Sequence, residues 1–187
     1  AITTAVFGAT QRDPGRSGVV LAAVEHAAVR HRADQPFVPT ARATVVGVNH
    51  LGRIDADELL DAIQPDTALV HVQWGNHEVG TLQPVQEVVD GCRARGVLVH
   101  VDAAQAAGRV PLNFTDLGAD LMSISGHKFG APAGVGALLI RRGLRLPALM
   151  LGGDQERARR AGMENVLGLI GFGAAADAAT ETLDTEA

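Results

Sequence analysis

The chain contains a single lysine, Lys128, at the end of the run Ser123-Ile124-Ser125-Gly126-His127-Lys128. The other side chains of high basicity are arginines, which do not form a Schiff base with an aldehyde. A lysine set among small residues and a histidine, just before the Gly/Pro loop at 129–136, can be held partly out of water. Desolvation lowers an amine's pKa and makes it a usable nucleophile toward an aldehyde. Ser125 and His127 carry donors suited to a phosphate. A lone lysine before a glycine loop is more often a surface lysine, so the run needs a partner motif. One lies about 25 residues upstream, roughly one βαβ-like step away: His100-Val101-Asp102-Ala103-Ala104-Gln105. Asp102 follows a strongly apolar strand and should emerge at its carboxyl end, where open α/β sheets bind ligands. A carboxylate there suits a cationic ring nitrogen, keeping it protonated so that the ring acts as an electron sink. Asp102 reads equally well as the cap of a following helix.

The elements that must position these residues alternate between β-rich runs and helical patterns. GVVLAAV (18–24), ARATVVGV (41–48), TALVHVQW (67–74), GVLVHVDA (96–103), LMSIS (121–125) and GALLI (136–140) read as strands. Their nearly continuous apolar character predicts strands covered on both faces, as in a parallel sheet. The spacing predicts a helix over 55–63, with Asp55 as N-cap and Glu58 three residues on. Another spans 84–95 and is ended by Gly96. The tail, 174–187, reads as the start of a helix whose packing partner is missing. The whole is an α/β domain with three layers, a mainly parallel sheet flanked by helices, joined by right-handed crossovers.

HVDAAQAAG (100–108) followed by DLMSISGHKFGAPAGVGALLIRR (120–142) resembles the class V aminotransferases, and within them the cysteine desulfurases. VEHAAV (24–29), HVQWGNHEVGTLQPV (71–85) and LGGDQERARRAGMENVLGLIGFGAAADAA (151–179) resemble further family segments in the same order, and AVFGAT (5–10) resembles the end of its "TSGATE" motif. The resemblance implies the fold-type I large domain, with pyridoxal 5'-phosphate (PLP) bound to Lys128 as a Schiff base. It also implies that Lys128 moves protons at the substrate α-carbon, Asp102 pairs with the pyridine nitrogen and Gln105 bonds the ring hydroxyl. His26 would stack on the ring and assist proton transfer; a satisfied helix histidine is its plainer reading. Ala9, Thr10, Ser125 and His127 would hold the phosphate, although Thr10 also reads as a simple N-cap. His77 stands where the family places an asparagine that contacts the cofactor, and a histidine can still donate there. No metal site is expected. His31, His50, His71 and His100 are assigned no chemistry.

Other positions depart from the family pattern. Met163 replaces a threonine whose hydroxyl reaches the phosphate of the partner subunit. The stretch 11–18 reads as a turn rather than the helix that points its N-terminus at the phosphate. Both departures predict a weaker phosphate site. Residues 1–187 read as the large domain without the family's N-terminal segment and C-terminal small domain, which carries the substrate-binding arginine and a mobile cysteine loop. The family resemblance implies L-cysteine as substrate, a homodimer, and a sulfur-acceptor protein in iron–sulfur or thiolation chemistry. The same core serves transamination, carbon–sulfur lysis or epimerisation, and a truncated homologue could serve as a binding subunit instead.

Composition bounds the reading. The chain has 187 residues, enough for one domain with a real core. A formal net charge of −5 argues against a nucleic-acid partner. No run approaches the about 18 apolar residues of a membrane helix, and no signal peptide is visible. A single cysteine, Cys92, excludes an intrachain disulfide and fits a reducing, cytoplasmic setting. Its helical surroundings suggest a small buried hydrophobe rather than a nucleophile.

Overall fold

A computed structural model describes residues 1–33 and 42–186. Six strands form one sheet: β1 (Gly18–Ala22), β2 (Ala43–Val46), β3 (Thr67–Gln73), β4 (Leu98–Asp102), β5 (Leu121–Ser125) and β6 (Gly136–Ile140). Their spatial order is β2-β1-β3-β4-β5-β6, with every neighbour parallel except the antiparallel pair β5/β6. β1 and β3 are buried along their whole length, as their apolar runs require, whereas the edge strands β2 and β6 are partly open.

Two apolar layers flank the sheet. On one face α1 (Ile2–Arg12) lays Ala5, Val6 and Ala9 against Val19, Leu21, Leu69 and Leu121, with Val29 of α2 (Ala27–Ala33) beside them. On the other, Leu59 and Leu60 of α3 (Ala56–Asp61) and Val85, Val88, Val89 and Cys92 of α4 (Val85–Arg95) cover Val20, Val70, Val72, Val99, Val101 and Met122. Residues one apart on a strand enter opposite layers, as the two-residue side-chain period demands. The three-layer, mainly parallel α/β architecture is therefore the one expected.

Local signals explain the helix ends. The Asp55 carboxylate accepts from the backbone N–H groups of Asp57 and Glu58 at the start of α3. α4 stops at Gly96, whose φ of 64° lies in the left-handed region that glycine enters without strain. A short helix, α5 (Phe114–Leu117), capped by the Asn113 side chain, leads into β5. The turn α6 (Gln155–Ala158) is left-handed at Glu156, Arg157 and Ala158, three non-glycine residues.

Two expectations need correction. The stretch 11–18 does not replace a helix: Gln11 and Arg12 end α1, and the turn proper occupies 13–17. The second concerns the tail. α7 (Val166–Glu186) begins before Ala174. Its glycines obscure it in the sequence, yet one is there for close packing: a Cβ on Gly171 would lie 2.6 Å from Pro132 Cγ. The 166–185 stretch is also long and apolar enough to cross a membrane, with a mean hydropathy of 1.2 and 6% of it buried in this chain. Asp177 near its middle argues against a span, since an Asp at a membrane-helix centre costs about 2.5–3.5 kcal/mol.

Candidate active site

The carboxyl ends of β1, β3, β4 and β5 open into a cavity of about 540 Å³, within the range of small-molecule sites. His26, His77, Asp102, Gln105, Ser125, His127 and Lys128 all line it. Lys128 sits half-buried on the 3-10 turn Gly126–Phe129 that follows β5. That turn lies tight against its neighbours. A Cβ on Gly126 would stand 2.8 Å from the Phe172 ring and 3.0 Å from the Val135 carbonyl oxygen. Phe129 meets Phe172 of α7 edge-on at 5.3 Å between ring centroids. The lysine's backbone is thus pinned from below by α7.

Asp102 ends β4 and is 7% exposed. Its Oδ1 accepts from Ser123 Oγ at 3.0 Å and from the Ala104 N–H at 3.1 Å. Both bonds fall on one oxygen. Asp102 therefore makes a cap-like bond to the turn after it and also faces the cavity, so its two sequence readings coexist.

His26 behaves similarly. Its Nδ1 accepts from the Ala28 N–H at 3.1 Å, capping α2, while the ring lines the cavity. Because Nδ1 is the acceptor, Nε2 carries the proton of the neutral ring. The His77 ring is 5.4 Å away and tilted by 53°. On the far strand end, Ser125 Oγ and His127 Nδ1 are 3.1 Å apart and hold one another in place.

Ala9 and Thr10 are not brought to the cavity. Both are buried in the last turn of α1; Ala9 packs in the apolar layer, and the Thr10 hydroxyl donates back to Val6 O at 2.8 Å. AVFGAT is helical because Ala5, Val6 and Ala9 share the face that α1 lays on the sheet. Residues 1–3, at the start of α1, line the cavity instead. Ala1 stands at the N-cap of that helix and Ile2 and Thr3 in its first turn, where helices favour anions. The helix judged missing is present, upstream of where the turn was read.

Sequence reasoning also missed Gln73 and Ser123, which line the cavity. The β3–β4 and β4–β5 registers place Gln73 and Ser123 beside Asp102. Register was the signal that could have found them. Met163 is 89% exposed and lies outside this cavity.

The donor set fits PLP. One lysine, one buried carboxylate, two imidazole rings, a Ser/His pair and a helix start offer a match for its aldehyde, ring nitrogen, ring face and phosphate.

Comparison with known proteins agrees. The aminotransferase class-V family model matches residues 1–187, and the chain belongs to that family, whose members depend on PLP. It is 44% identical over 186 residues to a cysteine desulfurase of Gluconacetobacter diazotrophicus, covering 98% of this chain and 46% of that one. A cysteine desulfurase of Bradyrhizobium diazoefficiens is 41% identical, covering 100% and 47%. Among solved structures, a NifS-like protein superposes with a TM-score of 0.92 at 33% identity, covering 98% of this chain and 51% of that one. DndA of Streptomyces lividans superposes with a TM-score of 0.88 at 35% identity, covering 98% and 53%. The chain thus spans about half the length of the relatives it matches.

Proposed function

We propose that this chain is the cofactor-binding half of a cysteine desulfurase, the enzyme that converts L-cysteine to alanine and leaves the sulfur as a persulfide on an acceptor thiol. The observation that carries the reading is the meeting of the only lysine, Lys128, with the buried Asp102 carboxylate in one cavity at the strand ends. PLP, when bound, supplies the electron sink that labilises bonds at the amino-acid α-carbon. The residues do the rest. Lys128 holds the cofactor covalently and moves the proton at the substrate α-carbon. Asp102 retains the proton on the ring nitrogen. Gln105 and His26 orient the ring, and His77 stands at the same mouth. Ser125, His127 and the first turn of α1 receive the phosphate.

Cys92 takes no part. It is fully buried, and burial pushes its thiol up to about 12, so almost no thiolate forms near neutrality. The acceptor thiol then comes from elsewhere in the assembly, since Cys92 is the one cysteine of this sequence. A homodimer accounts for the exposed apolar run Met163, Val166, Leu167 and Ile170, which is 61–89% exposed here. A relative, SspA, was solved in complex with cysteine, which supports that substrate. A sulfur-acceptor protein in a reducing cytoplasm completes the reading.

Borohydride reduction of the PLP-loaded protein, followed by peptide mapping, tests it. The expected product is a pyridoxyl group on Lys128. A yellow protein with unmodified Lys128 overturns the assignment. Incubating the same sample with L-cysteine and reductant, and following alanine and sulfide together, separates desulfuration from other class V reactions.

A further inference from the structure

Beneath the cavity floor lies a polar cluster that the reading above does not use. Glu25, His71 and His100 are buried, and the side chains of Glu25 and His71 are wholly inaccessible. His71 and His100 are cross-strand partners on β3 and β4. Gln73 and Asp102 lie two residues further along the same strands and are also partners. The two histidines therefore occupy the pleat row directly below the one that lines the cavity.

The distances specify protons. His71 Nδ1 and His100 Nδ1 are 2.7 Å apart, so one ring donates and the other accepts. Two nitrogens on a tetrahedral zinc, each about 2.0–2.1 Å from it, stand roughly 3.3 Å apart. The pair is too close for a shared metal and right for a shared proton. Burial, with His71 beside it, pushes the His100 imidazole well below its ordinary range, so His100 is the neutral ring of the pair. His71 then donates from Nδ1 and turns Nε2 toward Glu25. Nε2 lies 3.2 Å from Glu25 Oε2, within ion-pair distance but without the alignment of a hydrogen bond. A carboxylate with no access to water needs a close partner, and the His71 ring is the group that lies against it, at 3.2 Å and equally inaccessible.

The other oxygen of Glu25 accepts the Gln73 N–H at 2.9 Å. The side-chain amides of Gln73 and Asn76 both donate to Val24 O. The turn 24–26 is thereby fastened to β3 at two successive residues, and His26 is the next residue along. We propose that Glu25 is a positioning residue: held at ion-pair distance by His71, which is backed by His100, it clamps the 24–26 turn to β3 and so fixes the His26 ring over the cavity. The consequence for PLP rests on the cofactor reading above; the clamp itself does not.

Histidine-selective 15N NMR of the full chain without cofactor tests the clamp. The expected spectrum has one buried ring protonated on both nitrogens at neutral pH and one buried neutral ring. Glu25→Gln should return the first ring to neutral and displace the His26 ring signals while leaving those of His127 in place. Two neutral buried rings in the unmodified chain overturn the proposal, even if the variant does not fold. Unmoved His26 signals in a folded Glu25→Gln chain also overturn it. PLP titration by absorbance supplies the second arm. Glu25→Gln and His26→Ala should each weaken binding by about tenfold, and the double variant by no more than either. Additive losses mean that Glu25 acts elsewhere. If the unmodified chain binds no PLP at all, the cofactor reading fails, and the NMR arm still decides the clamp.

Discussion

The two faces of the sheet put the same strands to different uses. On the face covered by α3 and α4, every inward residue stays apolar to the strand end: Val70 then Val72 on β3, Val99 then Val101 on β4. On the face covered by α1, the strands begin alike, with Leu69 and Leu98, and then turn polar through His71 and His100 to Gln73 and Asp102. One strand thus serves as core on one side and as site on the other, because its side chains alternate. The apolar face provides the rigidity and the polar end of the other face provides the chemistry. Substitutions on the two faces should fail in different ways.

The sharpest break is Lys128→Ala. It removes the only lysine, on the half-buried turn at the cavity, so borohydride should fix no pyridoxyl group on the peptide that carries position 128. Melting should be nearly unchanged, because the turn is held by Phe129 and Gly126 rather than by the lysine. Retained covalent labelling would place the cofactor elsewhere.

On the opposite face the prediction inverts. Leu59 of α3 is 0% exposed and packs among the apolar residues of that layer. Leu59→Ala should cost about 2–5 kcal/mol of stability, as buried Leu-to-Ala changes do, read by urea unfolding. PLP should still label Lys128 in the fraction that remains folded. Loss of labelling without loss of stability would mean that the faces are not separable.

Asp102→Asn tests the polar end more finely. The shape is kept and the Ser123 hydroxyl and Ala104 N–H can still bond to the amide oxygen, but the negative charge is gone. A charge-assisted bond is worth about 1.5–3 kcal/mol, or roughly a tenfold to hundredfold change in the reaction that depends on it. PLP should still bind, while α-proton exchange of a bound amino acid in heavy water slows by that factor. Equal exchange rates in the parent and the variant would remove Asp102 from its role at the ring nitrogen.

The contrast between the faces was only partly legible in the sequence. The strands stood out because two-sided burial writes continuous apolar runs, as in TALVHVQW. Lys128 and Asp102 stood out because a strand end followed by small residues exposes them. α1 did not, because a short motif match at AVFGAT outweighed the helical spacing of Ala5, Val6 and Ala9. α7 was cut short because Gly168, Gly171 and Gly173 look like breaks until a packing partner is known. Gln73, Ser123 and the Glu25–His71–His100 cluster were illegible in principle. Each is an ordinary polar residue in its own segment, and only strand register brings them together.

The smallest expected effect comes from the apolar face and concerns Cys92. Burial raises its thiol from 9.0 to about 12, with nearby Arg95 opposing and Asp120 adding. A group with a raised folded pKa contributes stability that is intact below its unfolded pKa and lost as pH climbs toward the folded one. The unfolded chain ionises this thiol above about pH 9 while the folded chain does not, so stability should fall with a slope of one proton, by about 2 kcal/mol at pH 10.5. Few groups obscure this, since the chain has no tyrosine and one lysine. Urea unfolding of the parent and of Cys92→Ala between pH 8 and 10.5 checks it. The parent should lose stability and the variant should stay nearly level, beginning from a lower value because a buried sulfur has been removed. Parallel curves would mean that Cys92 ionises alike folded and unfolded. The thiol would then be open enough to take up sulfur, and the apolar face would no longer be the silent one.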